Sequence, residues 1–294
     1  MPHGPPSIPE LTVWVYINDT YIERERATIS PFDRGFLFSD GVYEVIRYYP
    51  ESGYFQTQAH LRRLQYGLDQ LQIRGIETDR LSVVIEDLLR RNAQTTAQAI
   101  AYIQVTRGAP YPRQHFFPPA SSPPTVFITT SPFKPHTEEI ERGVRVLLEK
   151  DIRWLRCDIK SIALLPNVLS RQHAVEQGVC ETVWSRDGFI TEGTHTNFCA
   201  IKRGTLLTPP RSNLILSGIT RQVVLDMCLK LNIPYQEEPI RESDISGLDE
   251  CLIVGTTTEI TPVVRIGETT IREGTPGAIT KKLQNDLYKI IFRT

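Results

Sequence analysis

A lysine at a predicted element boundary is the first candidate for chemistry in this sequence. Lys160 ends the strand-like segment VRVLLEKDIRWLRCDIK and precedes a helical segment. A lysine amine held at the end of a rigid element can attack a carbonyl carbon and form an imine. Position alone does not single it out, because the chain has eight lysines and a solvated surface lysine fits the pattern equally well.

A carboxylate further along the chain gives the lysine a chemical context. Glu192, in ITEGTHTN, lies on a predicted strand between two turns. A carboxylate there can hold a proton on the pyridine nitrogen of pyridoxal phosphate (PLP), and the protonated ring is what makes this cofactor an electron sink. The competing interpretation is a glutamate on the exposed face of a strand.

Two segments are suited to bind a phosphate group. SGIT at 217–220 comes immediately before a helical pattern, where unpaired N–H groups and the helix dipole attract anions. TTT at 256–258 follows an apolar strand and a glycine, and its hydroxyls can donate further hydrogen bonds. Helix capping and the preference of threonine for strands explain the same residues without a ligand.

Basic side chains offer partners for anionic groups. Arg63 lies on a predicted helix, where its planar guanidinium can reach a phosphate, although a solvated helix face explains it equally well. Arg113 and His115 lie in the proline-rich loop TRGAPYPRQHFFPP, where an arginine can pair with a substrate carboxylate. A lysine, a carboxylate, an anion site and an arginine loop are together the parts of a PLP enzyme, but spacing alone does not show that they converge.

The elements of the first half are short strands followed by helices. Between Thr12 and Gln56, apolar runs separated by turns predict antiparallel hairpins. Two apolar helical stripes follow, at residues 61–71 and 81–89, and then the strand AIAYIQVTRG. We predict an N-terminal α+β domain over 1–132, an interdomain linker over 133–139 and a C-terminal PLP-binding domain over 140–294.

The second half combines hairpins with covering helices. The segment before Lys160 suggests two strand-like runs, and hairpins turn at SRDG and KRG. Helices are predicted from Pro166 to Gln177 and from about Thr220 to Leu231. The overall prediction is an α+β fold in which sheets dominate and helices cover them. The apolar face of the first of these helices consists of Leu165, Val168, Leu169 and Val175.

The composition argues against several classes of function. A net charge of -1 over 294 residues gives no broad attraction to nucleic acid or anionic lipid, and no apolar stretch is long enough to span a bilayer. Small neutral or zwitterionic substrates fit better. The five cysteines are scattered and indicate neither a disulfide framework nor a metal site. Because the proline-rich N-terminus lacks a secretory signal, we expect a cytoplasmic protein whose first ten residues are disordered.

Four segments of the chain resemble a known enzyme family. RWLRCDIKSIALLPNVLSRQHA, TEGTHTN, ILSGITRQVV and TTTEITPV are similar to the fold type IV PLP aminotransferases, and the resemblance extends from about Val13 to the C-terminus. Within that family, WLRCDIKS resembles the stretch around the Schiff-base lysine of bacterial D-amino acid aminotransferases. The resemblance implies a two-domain fold, with a smaller N-terminal α/β domain and a larger β-rich C-terminal domain, and a PLP imine on Lys160.

The resemblance also implies a role for each candidate residue. Glu192 would pair with the pyridine nitrogen, and Leu216 would pack against the ring. The arginine loop would reach over from the neighbouring subunit, which makes a homodimer the expected assembly. The phosphate would be held by Arg63, Ile219, Thr220 and Thr256. The substrate α-carboxylate would be bound by Tyr43, Arg113 and His115.

The expected reaction is transamination. The resemblance implies that D-amino acids such as D-alanine and D-glutamate donate the amino group and that 2-oxoglutarate or pyruvate accepts it, with ping-pong kinetics. Lys160 would move the proton as general base and acid. A branched-chain L-amino acid aminotransferase and an aminodeoxychorismate lyase of the same fold are the alternatives. A non-catalytic binding protein is a further one, in which the hydroxyl and glycine clusters serve only the fold.

Three local features differ from the family pattern. TRGAPYPRQH is one residue longer before Arg113, and Arg47 stands where D-specific enzymes often have lysine. THT replaces a serine-rich run after TEG, so His195 is expected to change the pocket or the hydrogen bonds of the cofactor.

Overall fold

The structure, a computed structural model, describes residues 12–293 and is built on two β-sheets. Helices accompany both sheets, which confirms the predicted α+β fold. The expected disorder of the first ten residues lies outside the described range. The division into two domains stays a prediction, although one sheet comes from the first half of the chain and the other from the second.

The first sheet has six strands, all antiparallel, as the hairpin pattern predicts. Its strands are β1 (Trp14–Ile17), β2 (Thr20–Glu23), β3 (Gly41–Tyr49), β4 (Gly53–Tyr54), β5 (Ala99–Thr106) and β6 (Thr125–Pro132). Their order is β2-β1-β6-β5-β3-β4. Asn18 and Asp19 both have positive φ, 44° and 66°, which is the geometry of the two-residue turns that join twisted hairpin strands.

The second sheet has nine strands in the order β12-β11-β10-β13-β14-β7-β8-β9, with β15 paired to β14. The strands are β7 (Val144–Lys150), β8 (Glu181–Arg186), β9 (Phe189–Gly193), β10 (Asn197–Lys202), β11 (Thr205–Thr208), β12 (Tyr235–Glu237), β13 (Glu250–Gly255), β14 (Glu259–Ile266) and β15 (Thr269–Thr270). β9 also pairs with β10 at Glu192 and Asn197, so six of the strands close into a ring. Asp187–Gly188 and Arg203–Gly204 form the predicted hairpin turns, with positive φ at all four residues.

Within residues 12–293, seven α-helices pack on the sheets. They are α1 (Arg34–Phe38), α2 (Thr57–Leu71), α3 (Leu81–Arg91), α4 (Thr137–Arg142), α5 (Leu165–Glu176), α6 (Ile219–Lys230) and α7 (Ala278–Phe292). The predicted stripe of α2 is confirmed, because Leu61, Leu64 and Leu68 are at most 1% exposed and pack against the first sheet. α6 and α7 cover one face of the second sheet around Leu252 and Val254.

Three elements differ from the sequence-based expectation. α4 begins inside the predicted linker, where acidic residues in its first turn and Arg142 in its last turn favour a helix. The second strand-like run before Lys160 is irregular backbone, because its polar side chains bind one another. The apolar face of α5 is exposed, with Leu165 at 76% and Leu169 at 64%, while Ser170 and Ala174 are buried.

No helix among residues 12–293 is long and apolar enough to cross a membrane. The same residues contain no cluster of metal-ligating side chains. All five cysteines are free thiols.

Candidate active site

Lys160 lies at the junction of the two sheets. Its carbonyl oxygen accepts a hydrogen bond of 3.0 Å from the Tyr43 N–H, and the Ile162 N–H donates to Gly41 at 3.1 Å. These bonds hold the irregular segment that follows β7 against the first residues of β3. They take the place of the hydrogen bonds that a second strand before Lys160 would have formed. The Lys160 ammonium lies 4.1 Å from the centre of the Tyr43 ring. The lysine is therefore fixed at its backbone, and its amine reaches an enclosed space.

Two adjoining cavities, of about 360 and 180 Å³, meet at Lys160. We call them together the Lys160 cleft. The smaller cavity contains all the residues predicted to hold a phosphate. The larger one extends towards Arg153, Trp154 and Asn167. The residues that line both cavities are Tyr43, Lys160, Glu192, His195 and Leu216.

Glu192 is buried beneath the cleft at 4% exposure, which rules out the interpretation as a surface glutamate. Its carboxylate accepts hydrogen bonds from Arg153 Nη1 at 2.5 Å, Asn197 Nδ2 at 2.9 Å and the Leu216 N–H at 3.0 Å. Burial raises the pKa of Glu192, and the positive charge of Arg153 opposes that shift. The sequence-based reasoning missed Arg153.

The Arg63 side chain is only 10% exposed, so a solvated helix face does not account for this residue. Its guanidinium binds both carboxylate oxygens of Glu44, at 2.7 and 2.8 Å, and donates to the Ser217 carbonyl oxygen at 3.1 Å. Burial acts to raise the pKa of Glu44, but attraction to Arg63 and His60 outweighs burial and holds that pKa well below its usual range. Glu44 and His60 were missed, although Glu44 lies in phase with the buried Val42 and Ile46 of β3.

The start of α6 has the properties of an anion site. Gly218 precedes the helix, and neither Ser217 nor Thr220 forms the capping hydrogen bond that the sequence allowed. The first N–H groups of the helix therefore stay available for another acceptor. A Cβ on Gly218 would collide with the Asn197 side chain, so glycine permits the close approach of these two segments. Ile219, Thr220, Arg63 and Thr256 line the same cavity as Lys160.

The donor set fits PLP in its chemistry. A phosphate requires hydrogen-bond donors and positive charge, which the α6 start, the threonine hydroxyls and Arg63 supply. A pyridine nitrogen requires an anionic partner, which Glu192 supplies, and an aldehyde requires an amine, which Lys160 supplies. Leu216 offers an apolar surface between these groups.

Arg113 and His115 do not line either cavity of this chain. They lie beside Phe38, which does: the Arg113 guanidinium is 4.2 Å from the Phe38 ring centre, and the His115 ring centre is 5.2 Å from it. Arg34 holds this loop through the carbonyl oxygen of Gln114 at 2.5 Å. The two residues thus stand at the outer rim of the cleft, and their predicted substrate contact stays a prediction.

Comparison with known proteins places the chain in a family. Residues 41–266 match the family described as amino-transferase class IV. D-alanine aminotransferases of Staphylococcus epidermidis and of Listeria monocytogenes serotype 4b are 36% and 38% identical, over 94% and 92% of this chain and 97% and 93% of theirs. The branched-chain amino acid aminotransferase of Escherichia coli has a TM-score of 0.88 at 23% identity, covering 95% of each chain. The predicted family is confirmed: this chain belongs to the class IV aminotransferases, and its cofactor is PLP.

Proposed function

We propose that this aminotransferase acts on D-amino acids, such as D-alanine and D-glutamate, and passes the amino group to 2-oxoglutarate or pyruvate. The observation that supports this specificity is the 36–38% identity to D-alanine aminotransferases over more than nine tenths of the chain. The likeness to branched-chain enzymes, at 23–24% identity, extends to the fold alone. A branched-chain L-amino acid substrate is therefore not favoured, and the lyase reaction is the alternative that the assay below tests.

We assign the residues of the Lys160 cleft to the following roles. PLP supplies an electron sink when bound. Lys160 Nζ would move the proton from the substrate Cα to C4′ of the cofactor, first as general base and then as general acid. Glu192 would accept a hydrogen bond from the protonated ring nitrogen, and Leu216 would pack against the ring face. The phosphate would be held by Arg63, Ile219, Thr220 and Thr256. The substrate α-carboxylate would be bound by Tyr43 together with Arg113 and His115 of the partner subunit, whose loop would reach over to this cleft.

The protein is proposed to work as a homodimer. Several large apolar side chains near the cleft are exposed, including Trp154 at 46% and Leu165 at 76%. Tyr111 and Phe116 in the arginine loop are exposed as well, at 80% and 68%. Apolar surface of this extent is typical of a face that another subunit covers. We further propose a reducing, cytoplasmic location, because all five cysteines are free thiols.

The test compares two amino donors on the PLP-loaded protein. D-alanine with 2-oxoglutarate should yield pyruvate and D-glutamate faster than L-leucine yields its keto acid. Lys160→Ala should abolish this transfer and the visible absorbance of the bound cofactor, whereas Lys202→Ala, at a surface position on β10, should change neither. Faster transfer from L-leucine would contradict the proposal, and release of pyruvate with 4-aminobenzoate from aminodeoxychorismate would indicate the lyase.

A further inference from the structure

His195 occupies a position in the cleft that the roles above leave without a function. It is the one exposed residue in the segment from Ile190 to Ile201, all of whose other members are buried. Five residues line both cavities of the Lys160 cleft, and four of them have roles in the proposed reaction. The fifth is His195. Its imidazole therefore borders the space in which cofactor and substrate are expected to meet.

A buried carboxylate holds the His195 ring from behind. Glu181, on β8, is fully buried and has its Oε2 at 2.8 Å from His195 Nδ1. The same carboxylate accepts hydrogen bonds from the hydroxyls of Thr194 at 2.5 Å and Thr196 at 3.2 Å, and from the Thr182 N–H at 2.8 Å. Burial acts to raise the pKa of Glu181, but His195 and these donors outweigh burial and lower it. Glu181 is thus an anion at neutral pH.

This arrangement fixes the tautomer of the imidazole. The two atoms that face His195 Nδ1 are the Glu181 carboxylate and the Thr194 hydroxyl oxygen, at 2.8 and 3.1 Å. The carboxylate can only accept, and the Thr194 hydroxyl already donates its proton to that carboxylate. Both neighbours are therefore acceptors, so Nδ1 must carry the hydrogen. In the neutral ring Nε2 then has a lone pair, and no group among residues 12–293 hydrogen-bonds to it.

We propose that His195 Nε2 is the proton acceptor for the α-ammonium group of the incoming amino acid. One N–H bond of the ammonium breaks, its electron pair stays on the amine nitrogen, and the proton moves to Nε2. The resulting imidazolium is paired with the Glu181 anion, which lowers the cost of the new charge. The freed amine is the nucleophile that transamination requires. This inference deepens the proposed function and rests on the Lys160 cleft being its active site.

The charges around the ring suit this role. A net-neutral imidazole with a lone pair attracts a hydrogen-bond donor rather than an anion, and an ammonium group is the strongest donor that an amino acid brings. The titratable and charged groups that line the cleft with His195 are Tyr43, Arg63, Arg153, Cys157, Lys160 and Glu192, and Glu181 lies behind the ring.

The first test is the pH profile of kcat/KM for His195→Gln in the PLP-loaded enzyme. Glutamine can still donate to Glu181 but has no basic nitrogen. At neutral pH we expect a loss of about 100-fold, typical of a missing general base. The loss should shrink as the pH rises towards the pKa of the amino acid ammonium, and it should disappear above that pKa, where the substrate arrives already deprotonated. A loss that is equal at every pH would overturn the proposal.

His173→Gln is the matched control. His173 forms the same kind of pair, Nδ1 to Glu149 at 2.5 Å, but lies on α5 and lines neither cavity. It should leave the pH profile unchanged. Retention of bound PLP and an unchanged melting temperature in His195→Gln would separate the proton-transfer role from a structural one.

The second test needs no activity. Nitrogen-15 NMR of histidine-labelled, PLP-loaded wild type should show one imidazole with the proton on Nδ1 that is absent from His195→Gln. A proton on Nε2 in the neutral form would overturn the proposal. If the wild type prefers L-leucine, the D-specificity fails. The first test then proceeds with L-leucine, because each amino acid enters with the same ammonium group, and the second test needs no amino acid.

Discussion

Arg153 and Glu192 form a buried ion pair in which Nη1 lies 2.5 Å from Oε1, with side-chain exposures of 8% and 6%. Asp151 binds the other side of the guanidinium at 2.8 Å, and Arg153 also lies 4.3 Å from the Trp184 ring centre. Burial acts to lower the pKa of Arg153, but the two carboxylates outweigh burial and raise it. The arginine therefore keeps its charge under the site at which the cofactor ring is proposed to lie.

Arg153→Met should destabilise the protein at neutral pH by about 3–5 kcal/mol, because it leaves Glu192 as a buried charge without its cation. The pKa of Glu192 is already raised in the folded protein, so the fold favours the protonated carboxyl. The contribution of Glu192 to the free energy of unfolding is therefore present at low pH and is lost as pH rises through the folded pKa. Without Arg153 that pKa rises further. The stability gap between wild type and variant should therefore widen from pH 4 to pH 7 in urea unfolding.

Arg142→Met provides the comparison for this effect. Arg142 pairs with Glu138 on the surface, with exposures of 78% and 77%, and an exposed pair contributes at most about 1 kcal/mol. The assignment of Arg153 as the partner that supports Glu192 would be contradicted if both variants lost the same free energy of unfolding. A difference between wild type and Arg153→Met that does not depend on pH would contradict it as well.

Glu44→Gln should remove an interaction that stabilises the fold only above acidic pH. The pKa of Glu44 is lowered in the folded protein, so its contribution is complete above the unfolded pKa of about 4.3 and is lost as pH falls towards the folded value. The variant should be about 3–5 kcal/mol less stable at pH 7, because Arg63 is left buried without its anion. Unfolding curves of the two proteins should converge as the pH falls below about 4.

Glu77→Gln is the surface control, since Glu77 and Arg80 are both 75% exposed. It should leave stability within about 0.5 kcal/mol at every pH. A constant gap between Glu44→Gln and wild type from pH 7 to pH 3 would mean that packing, and not charge, explains the role of Glu44.

Gly218→Ala should weaken cofactor binding by at least about tenfold, or ~1.4 kcal/mol. The new Cβ collides with the Asn197 amide, and the Nδ2 group of this amide holds both Glu192 and the Leu216 carbonyl oxygen. A displacement of Asn197 or of the segment before α6 would therefore disturb both the proposed phosphate site and the proposed pyridine site. Titration of the apoprotein with PLP, followed by absorbance, measures the change.

Gly247→Ala is the matched substitution, because a Cβ at Gly247 has no atom within 4 Å among those described. It should bind PLP as the wild type does. Unchanged affinity in Gly218→Ala would mean that the segment before α6 adapts without cost and does not depend on glycine.

Local signals in the sequence predicted much of this fold. The turns at Asn18–Asp19, Asp187–Gly188 and Arg203–Gly204 were predictable because Asn, Asp and Gly readily adopt the positive φ of two-residue hairpin turns. The structure has positive φ at all six residues. The helices α2 and α6 were predictable because their apolar residues repeat with the helical period. Both kinds of signal depend only on neighbours along the chain.

The missed features depend on contacts between distant segments. Arg153 meets Glu192 across 39 residues, and Arg63 meets Glu44 across 19. Periodicity shows that a charged residue lies on an apolar face, but not which partner makes its burial tolerable. The exposure of the apolar face of α5 was missed for the same reason. An apolar stripe does not reveal whether a sheet of the same chain or another subunit covers it.

The proposed dimer leads to a complementation test of Arg113. If its loop serves the cleft of the neighbouring subunit, a mixed dimer of Lys160→Ala and Arg113→Ala chains has one site with both residues intact. Random assortment of the two chains after denaturation and refolding should then restore about a quarter of all sites, although each variant alone has little activity. The transfer rate from D-alanine measures the recovery.

A second mixture controls for subunit exchange itself. Lys160 and Glu192 line one cleft of a single chain, so Lys160→Ala mixed with Glu192→Gln leaves no site intact and should recover nothing. Recovery in the first mixture only would place Arg113 across the interface. No recovery in either would assign Arg113 to the rim of its own cleft, beside Phe38, where its guanidinium lies 4.2 Å from the ring centre.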